Sequence, residues 1–133
     1  MKAICKIKME PHYRRAAFEA GLRAVGYELV DSAQPADRRD VLVIWNRQLG
    51  EEGMADTWER AGGSVIVCEN GYVGRDDEDR QLYAIAMHGH NGSGWFPQLE
   101  DDRLTRLNIE FKPWTANPNG HVLICAQRGI GSR

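Results

Sequence analysis

The sequence predicts an α/β protein, a three-layer sandwich with a mainly parallel central sheet and helices on both faces. Three short apolar runs are typical of buried strands: Ala3 to Ile7, Val41 to Trp45 and Ser64 to Cys68. Helical patterns separate these runs at the lengths that right-handed parallel crossovers require. The alternation of strand and helix therefore favours an α/β sandwich.

Length and charge fit one ordinary globular domain. The chain has 133 residues, 42% of them hydrophobic, and a formal net charge of -2, a mixture far from that of disordered chains. Because the charges nearly balance, the composition does not indicate a nucleic-acid partner. The longest apolar run, Leu82 to Met87, is much shorter than the about 20 residues that span a bilayer. Since Lys6 and Lys8 interrupt any secretory leader, we expect a cytoplasmic protein with no membrane partner.

The first strand-helix-strand unit occupies the N-terminal thirty residues. Pro11 suits the first turn of a helix that runs to about Ala24, and Gly26 is placed to end it before a strand at Tyr27 to Val30. The spacing predicts that one helix face carries Tyr13, Ala17, Ala20 and Ala24, and that Arg14, Arg15, Glu19 and Arg23 stay in water.

The second unit begins after a polar connection, Ser32 to Asp40. Val41 to Trp45 is apolar throughout, as in a strand covered on both faces. A helix is predicted from Glu51 to Ala61, because acidic residues favour a helix N-terminus and Gly62-Gly63 ends the pattern. The run Ser64 to Cys68 is the next strand.

The pattern loosens after Glu69. Leu82 to His88 is a further strand candidate whose direction the sequence leaves open, and Gly89 to Gly94 is a glycine-rich loop. A short helix is expected near 99–107, and Val122 to Ala126 is a final strand. We therefore expect a single domain over 1–120, with the last strand and a glycine-rich tail over 121–133.

Cysteines and acidic residues do not indicate a metal site. Cys5, Cys68 and Cys125 each lie in an apolar run, as buried reduced thiols do, and form no Cys-x-x-Cys pair. The acidic run 76–79 has the setting of a solvated loop. His88 and His90 form a His-x-His pair, but no third ligand at characteristic spacing completes it. We expect no metal and no cofactor.

Candidate site residues follow from the strand ends, because open α/β sheets bind ligands beyond the carboxyl ends of their strands. His90 is the candidate general base, since imidazole titrates near neutral pH and a glycine-rich loop brings it close to a substrate. Candidate substrate contacts are Asn46, Arg47, Glu69, Asn70, Tyr72, His88, Asn91 and Trp95. Candidate phosphate contacts are Arg128, Gly129 and Gly131.

Each of these residues also has a purely structural interpretation. Both histidines could only stabilise the loop, and Arg47 could form an ordinary ion pair instead of binding phosphate or carboxylate. Trp95 could pack under a long loop instead of stacking on a sugar or base. Gly129 and Gly131 could belong to a frayed tail.

Several motifs carry a family resemblance from about Val41 onward. They are Val41-Leu42-Val43-Ile44-Trp45-Asn46-Arg47, Trp58-Glu59-Arg60-Ala61-Gly62-Gly63, Val65-Ile66-Val67-Cys68-Glu69-Asn70-Gly71-Tyr72 and His90-Asn91-Gly92. Together they resemble glycosyltransferase-like proteins of phages and prophages with the two-domain GT-B architecture. The resemblance implies a Rossmann-like fold for this chain and a role as the N-terminal, acceptor-side domain.

The resemblance also implies a division of roles. His90 would deprotonate an acceptor hydroxyl, with Asn46, Tyr72 and Asn91 as acceptor contacts, and backbone amides or Arg128 would stabilise the departing diphosphate. The segment from His121 resembles the start of a second, donor-binding domain, so we expect catalysis to require a donor domain that this chain does not contain. A sugar or sugar nucleotide is the implied ligand.

The sequence leaves a second class of function open. In that alternative the chain is a non-catalytic Rossmann-like module, phage-derived, that binds a small molecule or another protein. The strand Val122 to Ala126 would then either close the sheet internally or pair with a second copy to form a homodimer, because unpaired strand edges recruit strands.

Overall fold

The computed structural model describes residues 1–10, 12–75, 78–98, 103–106, 108–110, 112–113 and 115–121. The chain divides into two compact units, Met1–Gln98 and Leu99–Arg133. The predicted boundary between 120 and 121 falls inside the second unit and stays a prediction. The predicted strand at 122–126 and the glycine-rich tail lie outside the described residues.

The elements of the first unit follow the predicted order closely. They are β1 (Lys2–Cys5), α1 (His12–Ala24), β2 (Glu28–Leu29), β3 (Val41–Trp45), α2 (Gly50–Arg60), β4 (Ser64–Arg75) and β5 (Gln81–Met87). The glycine-rich loop contains one short 3-10 turn, Asn91–Ser93, where no regular structure was expected. In the second unit, the predicted short helix is a single turn, α3 (Arg103–Arg106).

The described strands form one mixed, mostly parallel sheet. Its order is β2-β1-β3-β4-β5, with β2, β1, β3 and β4 parallel and β5 antiparallel to β4. The α/β class is therefore confirmed. The direction of β5 follows from the connection, because the few residues between Arg75 and Gln81 suit a hairpin and cannot form a parallel crossover.

Alternate residues of the strands face two separate apolar clusters. One contains Leu22 of α1 with Ala3, Cys5, Ile7, Val41, Val43 and Cys68. The other contains Ala55 and Trp58 of α2 with Ile4, Leu42, Ile44, Val65 and Val67. The two helices thus cover opposite faces of the sheet, which we call the α1 face and the α2 face.

Strand β4 is longer than its sequence pattern predicts. It continues from Cys68 through the polar residues Glu69 and Asn70 to Arg75, with a register irregularity between Asn70 and Arg75. The expectation that Glu69 to Tyr72 follow the strand is therefore wrong. Pairing with β5 supplies their backbone hydrogen bonds, so an apolar side-chain pattern is not needed to keep them in the sheet.

The buried face of α1 also differs from the predicted one. Ala17, Ala20 and Ala24 are exposed, whereas Leu22 is buried and Phe18 is half-buried against the sheet. The larger side chains take the core face because they remove more apolar area from water than alanine does. Arg14, expected to be in water, is likewise half-buried.

Two further expectations concern thiols and membranes. Cys5 and Cys68 are free and buried, as predicted, while Cys125 lies outside the described residues. Among the helices that the structure describes, none has the length and apolar character needed to cross a membrane.

Candidate functional site

A charged cluster on the α2 face joins the end of β3 to the end of β5. Asn46 has a positive φ of 40° and turns the chain after β3, and Arg47 then carries its side chain back along α2. That side chain is only 11% exposed. Its guanidinium pairs with both carboxylate oxygens of Glu59, at 3.1 and 2.8 Å. It also pairs with Asp56 at 2.7 Å and approaches Glu52 at 3.5 Å.

His88 completes this cluster from the other strand. It has a φ of 66°, and its backbone N–H donates to the Val65 carbonyl at 2.9 Å. Arg47 Nη1 donates to the His88 carbonyl, which fixes the turn after β5. The imidazole Nδ1 lies 2.8 Å from Oε1 of Glu59. One arginine therefore holds both the backbone of His88 and the carboxylate that contacts its ring.

The Glu59–His88 contact determines which ring nitrogen is available. An ionised carboxylate can only accept, so Nδ1 carries the proton, and the neutral ring then has a lone pair on Nε2. The His88 side chain is 53% exposed, and within the described part of the chain Nε2 has no hydrogen-bond partner. A carboxylate-oriented imidazole with a free Nε2 is the arrangement of a general base.

The charges of the cluster stabilise one another. Burial alone would raise the pKa of Glu59, but its hydrogen bonds with Arg47 and His88 outweigh burial, and the net pKa is lowered. Burial would lower the pKa of Arg47, and the hydrogen bonds with Glu59 and Asp56 raise it overall. Glu59 is therefore held in the anionic form that orients His88.

His90 lies in a different environment. It is only 9% exposed, and its buried Nδ1 has no hydrogen-bond partner in the described part of the chain. Its carbonyl accepts from the backbone N–H and the hydroxyl of Ser93, at 3.2 and 2.8 Å. His90 lines a cavity of about 40 Å³ together with Glu69 and Phe96. This volume suits one water molecule or a ligand hydroxyl better than a whole substrate.

The other residues that the sequence predicts for the site lie at separate positions in the structure. Glu69 and Asn70 are neighbours on β4, so they face opposite sides of the sheet. Trp95 is exposed and bridges to Met87 beside β5. Tyr72 lies on β4 and Asn91 begins the 3-10 turn. The described residues do not include Arg128, Gly129 or Gly131.

The predicted ligand site beyond the carboxyl ends of the strands is only partly formed. Asn46 lies at the carboxyl end of β3, as expected, and its N–H donates to the Cys68 carbonyl at 2.8 Å. His88, however, follows an antiparallel strand and lies beside Val65, near the start of β4. The strand-end rule places His88 at the wrong edge because the rule assumes parallel strands.

Sequence reasoning missed the acidic partners on α2. Glu52, Asp56 and Glu59 recur at spacings of four and three residues, which places them on one helix face directly after Arg47. That spacing beside an arginine was the available signal. No site formed by three or more His, Cys, Asp or Glu side chains for a metal ion is found among the described residues.

Comparisons with known proteins identify no relative. No protein-family model matches the chain, and neither the curated protein sequences nor the solved structures give a match.

Proposed function

We propose that this chain is the acceptor-side domain of a glycosyltransferase-like protein with a Rossmann-like, three-layer architecture, and that His88 is its general base. The observation that carries the proposal is the Glu59–His88 pair, whose Nδ1–Oε1 distance is 2.8 Å while the ring remains half-exposed. The parallel strands β1, β3 and β4 and the placement of the helices on opposite faces support the architecture.

The role of base passes from His90 to His88 for a geometric reason. A base must come within hydrogen-bond reach of the hydroxyl that it deprotonates. The ring of His88 is open to an approaching ligand, whereas His90 lies in a cavity that has room for little more than one water. His90 and Glu69 are then positioned to bind a single hydroxyl group of an acceptor.

The proposed step uses the cluster as follows. Nε2 of neutral His88 takes the proton of an acceptor hydroxyl while the oxygen forms a bond to the anomeric carbon of a sugar nucleotide. The bond from that carbon to the diphosphate breaks, and the diphosphate leaves with the electron pair. Glu59 stabilises the resulting imidazolium, and Arg47 keeps Glu59 in place. The sugar nucleotide is the donor substrate of this step.

The test measures acceptor binding and histidine chemistry separately. NMR shift perturbation with a panel of simple methyl glycosides should place binding near His88, and bound glycoside should slow modification of His88 by diethyl pyrocarbonate. The variant His88→Gln should weaken binding several-fold, whereas His121→Gln, at an exposed histidine of the second unit, should not. If a sugar nucleotide is consumed, His88→Gln should slow turnover by about 100-fold or more.

Two outcomes would contradict the proposal. If no glycoside binds at millimolar concentration, the chain is not an acceptor domain. If His90→Gln abolishes turnover and His88→Gln leaves it intact, the assignment of the base is wrong.

The alternative, a non-catalytic binding or interaction module, is favoured by a different observation. Val25 and Ile85 expose large apolar side chains along one groove of the first unit, and exposed apolar groups that cluster mark interaction surfaces. A homodimer or a separate partner would then cover them. Sedimentation velocity across a concentration series tests the dimer form, and a strictly monomeric protein would contradict it.

A further inference from the structure

A half-buried arginine on the α1 face is stacked on two aromatic rings. Arg14 lies in the first turns of α1, with Cζ 4.1 Å from the Trp45 ring centroid and 5.6 Å from that of Tyr83. Trp45 and Tyr83 meet edge to face at 5.5 Å. The rings fix the guanidinium near the carboxyl end of β3, the edge at which α/β sheets bind ligands.

Two polar atoms of this cluster have no hydrogen-bond partner among the residues that the structure describes. Nε of Arg14 and the hydroxyl of Tyr83 are buried without a hydrogen bond. Within the described ranges, Arg14 pairs with no carboxylate, whereas the next residue, Arg15, binds Glu19 at 2.6 Å. A guanidinium without a carboxylate partner among these residues can pair with an anionic group supplied by a ligand.

An apolar groove begins at the same tyrosine. It has a volume of about 390 Å³, within the range of small-molecule sites. Its lining includes Ala17, Phe18, Gly21, Val25, Tyr83 and Ile85. Val25 and Ile85 are 65% and 50% exposed, so the groove is open to solvent.

The helix aligns the arginine with the groove. Arg14, Phe18 and Gly21 follow each other at helical spacing on one face of α1, and Val25 lies directly after its last residue. From Arg14 to Ala24 the helix rises about 15 Å, comparable to an extended dodecyl chain. Phe18 joins the two parts, because its ring centroid lies 5.6 Å from that of Tyr83.

We propose that this surface binds a single-chain anionic lipid, with the headgroup on Arg14 and the hydrocarbon chain in the groove between α1 and β5. Arg14, which has no carboxylate partner in the described ranges, lies at one end, and the apolar lining extends along the rest, so that the surface selects an amphiphile. A guanidinium pairs bidentately with phosphate or carboxylate headgroups, and the ring faces hold it in position. The proposal does not depend on the glycosyltransferase-like function.

The test is calorimetric titration with dodecyl phosphate below its critical micelle concentration, with butyl phosphate and neutral dodecyl maltoside as comparison ligands. We expect dodecyl phosphate to bind at least about ten times more tightly than either comparison ligand. Butyl phosphate lacks the long hydrocarbon chain, and dodecyl maltoside lacks the negative charge. The variant Arg14→Gln should weaken binding by about 10- to 100-fold.

A second variant blocks the groove without disturbing the fold. A Cβ built on Gly21 meets no atom within 4 Å, so Gly21→Leu places its side chain in the groove and also improves helix propensity. It should weaken binding at least tenfold, with an unfolding midpoint equal to or above that of the wild type. The matched controls are Ala16→Leu and Arg23→Gln, which change exposed residues elsewhere on α1 and should leave the affinity unchanged within about twofold.

Four binding results would overturn the proposal. These are no binding of monomeric dodecyl phosphate, equal binding of the neutral amphiphile, unchanged affinity in Gly21→Leu, and binding to vesicles of anionic phospholipid without binding of the monomeric lipid. A wild-type dimer that Gly21→Leu converts to monomer would also overturn it, because a second copy would then be the occupant of the groove.

Discussion

Glu59→Gln tests the reasoning about the charged cluster most directly. The substitution keeps the shape of the side chain and one acceptor oxygen, but removes the charge that pairs with buried Arg47. Two hydrogen bonds to the guanidinium, at 2.8 and 3.1 Å, and the contact to His88 are affected. Breaking a buried pair costs about 3–5 kcal/mol, and Asp56, still 2.7 Å from the guanidinium, offsets part of that loss. We therefore expect the free energy of unfolding to fall by about 2 kcal/mol.

The assay is urea unfolding followed by tryptophan fluorescence near neutral pH. Glu28→Gln serves as the control because Glu28 is an exposed acid on β2, where the change should stay within about 0.5 kcal/mol. A Glu59→Gln variant no less stable than this control would refute the reasoning.

The pairing of Glu59 with Arg47 and His88 also predicts how the free energy of unfolding changes at acidic pH. The folded-state pKa of Glu59 is lowered from its ordinary value of 4.5, once its hydrogen bonds have outweighed burial. Its contribution is therefore complete well above pH 4.5 and is lost as the pH falls through the lowered pKa. Glu59→Gln should lose less stability than the wild type over this acid range. If the unfolding free energies of the wild type and Glu59→Gln had the same pH dependence, Glu59 would have the same pKa in the folded and unfolded protein, which would contradict the prediction.

Three further substitutions or modifications probe local packing. Gly63→Ala would place a Cβ in steric overlap with Trp58 Nε1, so thermal unfolding should show a loss of about 1–3 kcal/mol, and a neutral effect would contradict the packing. Leu49 is exposed with a φ of 51°. Leu49→Gly should therefore stabilise the protein by about 0.5–1 kcal/mol in urea unfolding, and a loss would contradict the strain argument. Burial raises the pKa of the Cys5 and Cys68 thiols, so peptide mapping should find iodoacetamide labelling much slower in the folded protein than in urea; equal rates would contradict burial.

The assignment of a base shows how folding changes a site prediction. The sequence pointed to His90, in a glycine-rich loop, and the loop does bring both histidines to the α2 face. Which of them is accessible depends on how the loop closes: Ser93 bonds to the His90 carbonyl and the imidazole is enclosed. His88 instead contacts Glu59, 29 residues away in the chain. No local pattern encodes such a contact, so it could not be read from spacing.

Local sequence signals were sufficient for the elements and their order. The apolar run at 41–45 is β3 to the residue, and Gly26 and Gly62 follow α1 and α2 with the positive φ values that end helices. These features depend on a few neighbouring residues, so hydrophobic periodicity and backbone preference report them directly. The parallel directions of β1 and β2, and of β3 and β4, followed from the helical connections that join them, whereas the pairing of β1 with β3 was not predicted.

Features that depend on distant pairing were decided only in the tertiary structure. Residues 69–75, which lack an apolar strand pattern, are strand because β5 lies beside them, and α1 packs Phe18 and Leu22 on the sheet because the sheet accepts the larger side chains. Arg14, which looked like one more solvated charge, is stacked on Trp45 and Tyr83 from two different strands. The burial of a residue and the identity of its contact partners depend on the assembled sheet, because they are determined only when segments far apart in the chain come into contact.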